Sequence, residues 1–247
     1  MKQYFDFLET FIKSECEITP VYYVANPGNW GDALIRHGTL KFFKERHIAV
    51  QEITDTKAVD ALPDGGTLLY GGGGAWCKLW NHSSDIQKWQ QKFKIIVLPS
   101  TYEFTYNIPN TIFFRRDQGK SKQNMPDSHF CHDMAFYIQD DFFTGQQGGI
   151  GYFFRTDKES SRRIAIPEDN VDLSRQGKHL SDVVPFFAEV DKYSVIHTDR
   201  LHIGIAACLL KKELHLYLGS YFKSRAVYNT SIKPYFENTH FVEPVKS

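Results

Sequence analysis

Short apolar runs, each ended by Gly, Asn, Ser or Asp and followed by a stretch of helical periodicity, dominate the chain. At the N-terminus Phe5, Leu8 and Ile12 recur at helical spacing among Lys2, Asp6, Glu9 and Lys13. This predicts an amphipathic helix rather than an uninterrupted apolar leader. Residues 21–25 read as a buried strand, 26–29 as a loop and 31 to about 46 as a helix with Leu34, Leu40 and Phe43 inward. Residues 48–54 and 67–70 read as strands, the second ended by Gly71-Gly72-Gly73-Gly74. A helix over 85–92 precedes strands over 94–98, ended by Pro99-Ser100-Thr101, and 111–114, ended by Arg115-Arg116-Asp117. After a polar, glycine-rich stretch at 146–149 the rhythm resumes. Strands are predicted over 151–155, 193–197 and 214–218, and helices over 183–190, 199–210 and 223–229. Alternation at these lengths indicates an α/β fold with parallel sheets and helical crossovers.

Two successive α/β runs, 1–146 and 147–247, predict two Rossmann-like domains facing a cleft, with ligands beyond the carboxyl ends of the strands. Composition narrows the function. The 247 residues carry 29 basic and 29 acidic side chains, a net charge of zero, so the electrostatic footprint of whole-domain nucleic-acid binding is missing. No run of ~18 apolar residues is present to span a membrane. Cysteines 16, 77, 131 and 208 form no C-x-x-C pair, which points to reduced thiols and a cytoplasmic setting. The 15% aromatic content fits either a Phe-rich core or sugar-stacking surfaces such as Trp30, Trp76, Trp80 and Tyr102.

Four loops carry candidate chemistry. Asn26-Pro27-Gly28-Asn29-Trp30-Gly31-Asp32 joins a strand to a helix, so bare backbone and helix N–H groups would face a ligand beside Asp32. An ordinary turn capped by Asp is the competing explanation. Gly71 to Gly74 fails the G-x-G-x-x-G fingerprint, because Trp76 and Cys77 occupy the places where the last glycine would fall. Such a run at a strand end still suggests close ligand approach. In Thr198-Asp199-Arg200-Leu201-His202, Thr198 or Asp199 is expected to cap a helix made close-packing by Gly204, Ala206 and Ala207. Arg200 and His202 then oppose the helix dipole unless an anion binds there. Gly219-Ser220-Tyr221-Phe222-Lys223-Ser224-Arg225 adds hydroxyls and cations, as do Arg155 and Arg115 or Arg116. For metals, His129, Cys131, His132 and Asp133 match no zinc spacing, and no metal site is expected.

With these motifs the chain resembles the polysaccharide pyruvyl transferase family. The resemblance rests on Gly28-Asn29-Trp30-Gly31-Asp32-Ala33-Leu34-Ile35, the glycine run 71–74, and Arg116-Asp117 with Asp133-Met134-Ala135-Phe136. Above all it rests on Thr198-Asp199-Arg200-Leu201-His202, and it extends in order over roughly residues 21 to 230. It implies a GT-B-like pair of domains, the first on the acceptor side and the second on the donor side, one of them trimmed in so short a chain. It also implies transfer of pyruvate from phosphoenolpyruvate to two hydroxyls of a sugar, giving a cyclic ketal in a surface polysaccharide. His202 then resembles the acid/base histidine, Asp32 the acceptor-side carboxylate, and Arg200 and Arg155 the ligands of the donor's phosphate and carboxylate. Lys223, Ser220 and Tyr221 join the donor side. Asn29, Gly31, Gly72, Gly73, Gly74, Ser100 and Arg116 line the acceptor side or the cleft. The implied partners are phosphoenolpyruvate, with no further cofactor, and a nucleotide-linked, lipid-linked or polymeric sugar at a peripheral membrane location. A nucleotide-sugar glycosyltransferase on the same fold and a non-catalytic sugar- or anion-binding protein are the alternatives.

Overall fold

The computed structural model describes residues 1–16, 20–81, 83–139 and 148–243. Two compact units share the chain: Met1–Asn26 with Ile35–Tyr137, and Pro27–Leu34 with Ile138–Ser247. The second unit therefore takes in a segment from the first half of the sequence. Of the boundary stretch 146–149, only Gly148 and Gly149 are described; 146 and 147 lie outside the described residues.

The first unit begins with α1 (Lys2–Glu15), whose Phe5, Leu8 and Ile12 are buried as the periodicity predicts. Then follow β1 (Val21–Val24), α2 (Trp30–Glu45), whose first turn belongs to the second unit, β2 (Gln51–Ile53) and β3 (Thr67–Tyr70). Next come β4 (Gly73–Cys77), β5 (Trp80–Asn81), α3 (Ser83–Trp89), β6 (Lys94–Tyr102), β7 (Thr111–Arg115), α4 (Lys120–Asn124) and β8 (His129–Phe130). They form an eight-stranded sheet in which β2, β1, β3, β6, β4 and β5 are successive neighbours, and β7 and β8 continue from β6. All pairings are parallel except that of β4 with β5. β1, β3 and nearly all of β6 are buried along their length, which explains their uninterrupted apolar runs. The aromatic content is largely core: Trp76 packs among Tyr70, Tyr102, Tyr106 and Phe113 at centroid distances of 4.9–6.5 Å.

Two sequence expectations change here. The strand predicted to stop at Pro99 runs on to Tyr102. Its register against β7 shifts between Val97 and Ser100, so an irregularity accommodates the residue without an N–H. The glycine run is not an open loop, because Gly73 and Gly74 begin β4. A Cβ on Gly72 would overlap the Pro99 carbonyl oxygen, and one on Gly71 would stand 2.5 Å from the Asn26 nitrogen. The close backbone approach is thus to the protein's own chain.

The second unit holds β9 (Ile150–Phe153), α5 (Val184–Asp191), β10 (Val195–Thr198), α6 (Leu201–Leu209), β11 (Glu213–Tyr217), α7 (Lys223–Val227) and β12 (Thr239–Val242). Its sheet is wholly parallel in the order β12-β11-β10-β9. Ile196, Leu214 and Leu216 are buried on one face, where a Cβ on Gly204 of α6 would stand 3.4 Å from the Leu214 and Leu216 methyls. Strand alternation sends Tyr152, His197, His215 and His240 to the opposite face, where they stay partly accessible. No helix among the described residues is long and apolar enough to cross a membrane.

Candidate functional site

The predicted residues fall into three groups in the second unit and one in the first. The first group is built on the start of α2. Asn29 Oδ1 accepts from the Gly31 N–H (2.8 Å), and Asp32 Oδ2 accepts from the Asn29 N–H (2.8 Å). This reciprocal arrangement resembles a capping box, so Asp32 has a structural task whatever else it does. The turn is anchored by Trp30. Its indole N–H donates to the Asp182 carbonyl (2.7 Å), and its ring meets Phe186 edge-on at 5.5 Å. The Gly28 carbonyl also accepts from the His179 N–H (3.2 Å).

His202 reaches the same place from the first turn of α6. A Cβ on Gly31 would overlap His202 Nδ1 and stand 3.0 Å from its Cγ. Gly31 therefore holds the imidazole against the first turn of α2, one residue from Asp32. The predicted cap of α6 differs from the observed one. Arg200 is the N-cap residue, and no side chain caps the helix. Thr198 Oγ1 instead accepts from the Arg200 N–H (2.9 Å) and donates to the Phe153 carbonyl (2.7 Å). Asp199 Oδ1 accepts from the Arg155 N–H (2.8 Å), tying α6 to the end of β9. Burial pushes the Asp199 carboxyl up to about 6.

The second group is an ion-pair array. Arg200, 4% exposed, donates from Nε and Nη2 to Asp172 (2.9 and 2.8 Å) and lies 2.9 Å from Asp157. Arg155, 5% exposed, donates to Asp157 (2.9 and 3.1 Å) and Glu159 (2.5 Å). Lys223 Nζ donates to the same Glu159 (2.9 Å). Three cations thus interleave with three carboxylates, as buried guanidinium groups require. Burial alone would raise the Asp157 carboxyl, but the hydrogen bond and charge of Arg155, with the charge of Arg200, hold it below the usual range. The sequence reading singled out the cations and missed Asp157, Glu159 and Asp172. The alternating charges of Arg155-Thr156-Asp157-Lys158-Glu159 were the available signal.

The third group lines a pocket of about 380 Å³ after β11. Ser220 and Tyr221 are on its wall with Ser160, Ser161, Arg163 and Arg225. Arg225 pairs with Glu243 (2.6 Å) and stacks on Phe241 at 5.6 Å. Lys223 sits 5.1 Å over the Tyr221 ring.

Gly72, Gly73, Gly74, Ser100 and Arg116 belong to the first unit, where Gly73 and Gly74 lie in β4 and Ser100 in β6. Ser100 and Arg116 are fully buried and present no surface to a ligand. Ser100 Oγ donates to the Leu98 carbonyl (2.8 Å). Arg116 donates to Thr101 Oγ1 (2.8 Å) and Asp133 Oδ2 (2.5 Å), linking β6, β7 and the segment after β8.

The chain is similar over nearly its whole length to a solved structure, that of the uncharacterized protein KP1_0663 from Klebsiella pneumoniae subsp. pneumoniae NTUH-K2044. Identity is 28%, 98% of this chain and 99% of that chain are covered, and the TM-score is 0.82. No family model and no curated protein matches. The fold is a mixed α/β one of Rossmann-like character, built on largely parallel sheets.

Proposed function

We propose that this chain is a pyruvyl (ketal-forming) transferase acting on phosphoenolpyruvate and a sugar diol in surface polysaccharide synthesis. One observation carries the reading: within one unit the His202 imidazole stands against Gly31, the chain neighbour of Asp32, whose carboxylate accepts from the Asn29 N–H at the same helix start. A GT-B-like pairing of two Rossmann-like lobes and a cytoplasmic setting belong to the same proposal.

The chemistry runs in four steps. The His202 imidazolium gives its proton to the methylene carbon of the donor, and the double-bond electrons form the new C–H bond. The resulting oxocarbenium-like carbon takes the first sugar hydroxyl, whose proton passes to Asp32. The C–O bond to phosphate breaks and phosphate leaves. The second hydroxyl closes the ketal on the oxocarbenium-like carbon so formed and gives its proton to the phosphate still held in the site, and the proton on Asp32 returns through solvent to His202, which restores both groups. Donor anions enter an array whose cations are already paired, so they compete with Asp157, Glu159 and Asp172 for Arg155 and Arg200. Burial favours the neutral form of the adjoining Asp199, which lowers the negative charge beside Arg155 and Arg200.

The pocket beside Ser220, with two arginines and three serines, favours a second reading, a glycosyltransferase using a nucleoside diphosphate sugar. Thermal denaturation separates the two. Phosphoenolpyruvate raises the melting temperature under the first reading, and the nucleotide sugar does so under the second.

A further inference from the structure

The open face of the second sheet carries a row of side chains outside the proposed transferase site. Parallel registry places Tyr152, His197, His215 and His240 opposite one another across β9, β10, β11 and β12. The His197 and His215 rings stack at 4.3 Å with an interplanar angle of 1°, and the His240 ring lies 4.9 Å from that of His215. Glu213, two residues before His215 on β11, shares the face.

We propose that Glu213, His215 and His240 form a binding site for a divalent transition metal of the zinc class. One ligand atom from each lies within 4.8 Å of the other two. His215 Nε2 is 2.8 Å from Glu213 Oε1, and His240 Nε2 is 4.0 Å from that same oxygen. A tetrahedral ion with bonds of about 2.0–2.2 Å holds its donor atoms about 3.4 Å apart. The Glu213–His215 pair must part slightly from 2.8 Å, and His240 must swing inward from 4.0 Å. It is the most exposed of the three, with 56% of its side chain accessible, and it lies on the edge strand.

The other two ligands are held in advance. Glu213 and His215 alternate on one strand, and His197 fixes the His215 ring by stacking. His197 is itself held by a 3.0 Å contact between its Nδ1 and the Tyr217 hydroxyl. Such outer support of a ligating imidazole is what tunes metal sites. Two imidazoles and one carboxylate suit Zn²⁺, Co²⁺, Ni²⁺ or Cu²⁺ rather than Mg²⁺ or Ca²⁺. Three protein ligands leave at least one position for water or an exchangeable ligand.

The test titrates the untagged full chain with Co²⁺, followed by visible absorption, and with Zn²⁺, followed by calorimetry. The expected result is one saturable ion per chain. Affinity should fall by about a hundredfold or more in both His215→Ala and His240→Ala, and it should also weaken in Glu213→Gln. All three side chains are partly exposed, and far-ultraviolet circular dichroism in chelator checks that each variant stays folded. Absence of saturable binding overturns the proposal. So does a loss smaller than about tenfold in either histidine variant.

Discussion

The missing side chain of Gly31 is what admits the imidazole of His202 to the first turn of α2. Adding one methyl group tests that contact. Gly31 has no left-handed backbone to lose and stands in a helix, where alanine is otherwise favoured. The cost of Gly31→Ala is therefore chiefly the collision with His202, with a lesser crowding of Asn29 Oδ1 at 3.0 Å. A shift of the ring by about 1 Å should lower turnover by about a hundredfold while the fold survives. In a His202→Ala background the same methyl should cost clearly less, since only its contact with Asn29 Oδ1 remains. Denaturant unfolding of both single variants and the double variant measures this coupling.

Asp32 has two tasks that substitution can separate. Asp32→Asn keeps an oxygen to accept the Asn29 N–H, so stability should hold within about 0.5 kcal/mol. Turnover should drop by at least about a hundredfold if the carboxylate takes the acceptor's proton. Asp32→Ala should lose the cap as well, at about 1 kcal/mol. An Asn variant with parental turnover would leave Asp32 as a cap alone.

Arg116 is expected to act on stability. Its pair with Asp133 is fully buried, so Arg116→Ala leaves a carboxylate without its cation in the sheet interior. Chemical denaturation should show a loss of about 3–5 kcal/mol. A stable but inactive variant would return Arg116 to the ligand site.

Asp199 sets a pH dependence. Burial raises its carboxyl from 3.8 to about 6, so the folded chain keeps a proton that the unfolded chain releases between those values. Its favourable contribution is complete below the lower value and lost as pH rises through the upper one. Asp199→Asn removes the charged form and preserves an oxygen for the Arg155 N–H. The variant should be more stable than the parent at pH 7.5, by up to about 3 kcal/mol, and match it near pH 4. Equal stability at both pH values would contradict this.

Local chemistry was legible in the residues, whereas pairing was not. Phe5, Leu8 and Ile12 announce α1, and the apolar runs announce β1 and β3, because period and burial are local properties. The strand through Pro99 and the glycine start of β4 depend on neighbours that a single segment does not show. β12 is short and half-exposed, and its place follows from its pairing with β11. Arg155 and Arg200 stood out as cations. Their carboxylates, at 157, 159 and 172, joined them only through folding. The His215–His240 pair is likewise a product of strand register, since 25 positions separate the two residues.

Phosphate release from phosphoenolpyruvate across a panel of sugar diols, with mass analysis of the product, tests the central claim most directly. The parent chain should release phosphate and yield a pyruvylated sugar, and His202→Ala should bind the donor yet do neither. Phosphate release that survives His202→Ala, or a parent chain that transfers sugar from a nucleoside diphosphate and leaves phosphoenolpyruvate untouched, would contradict it.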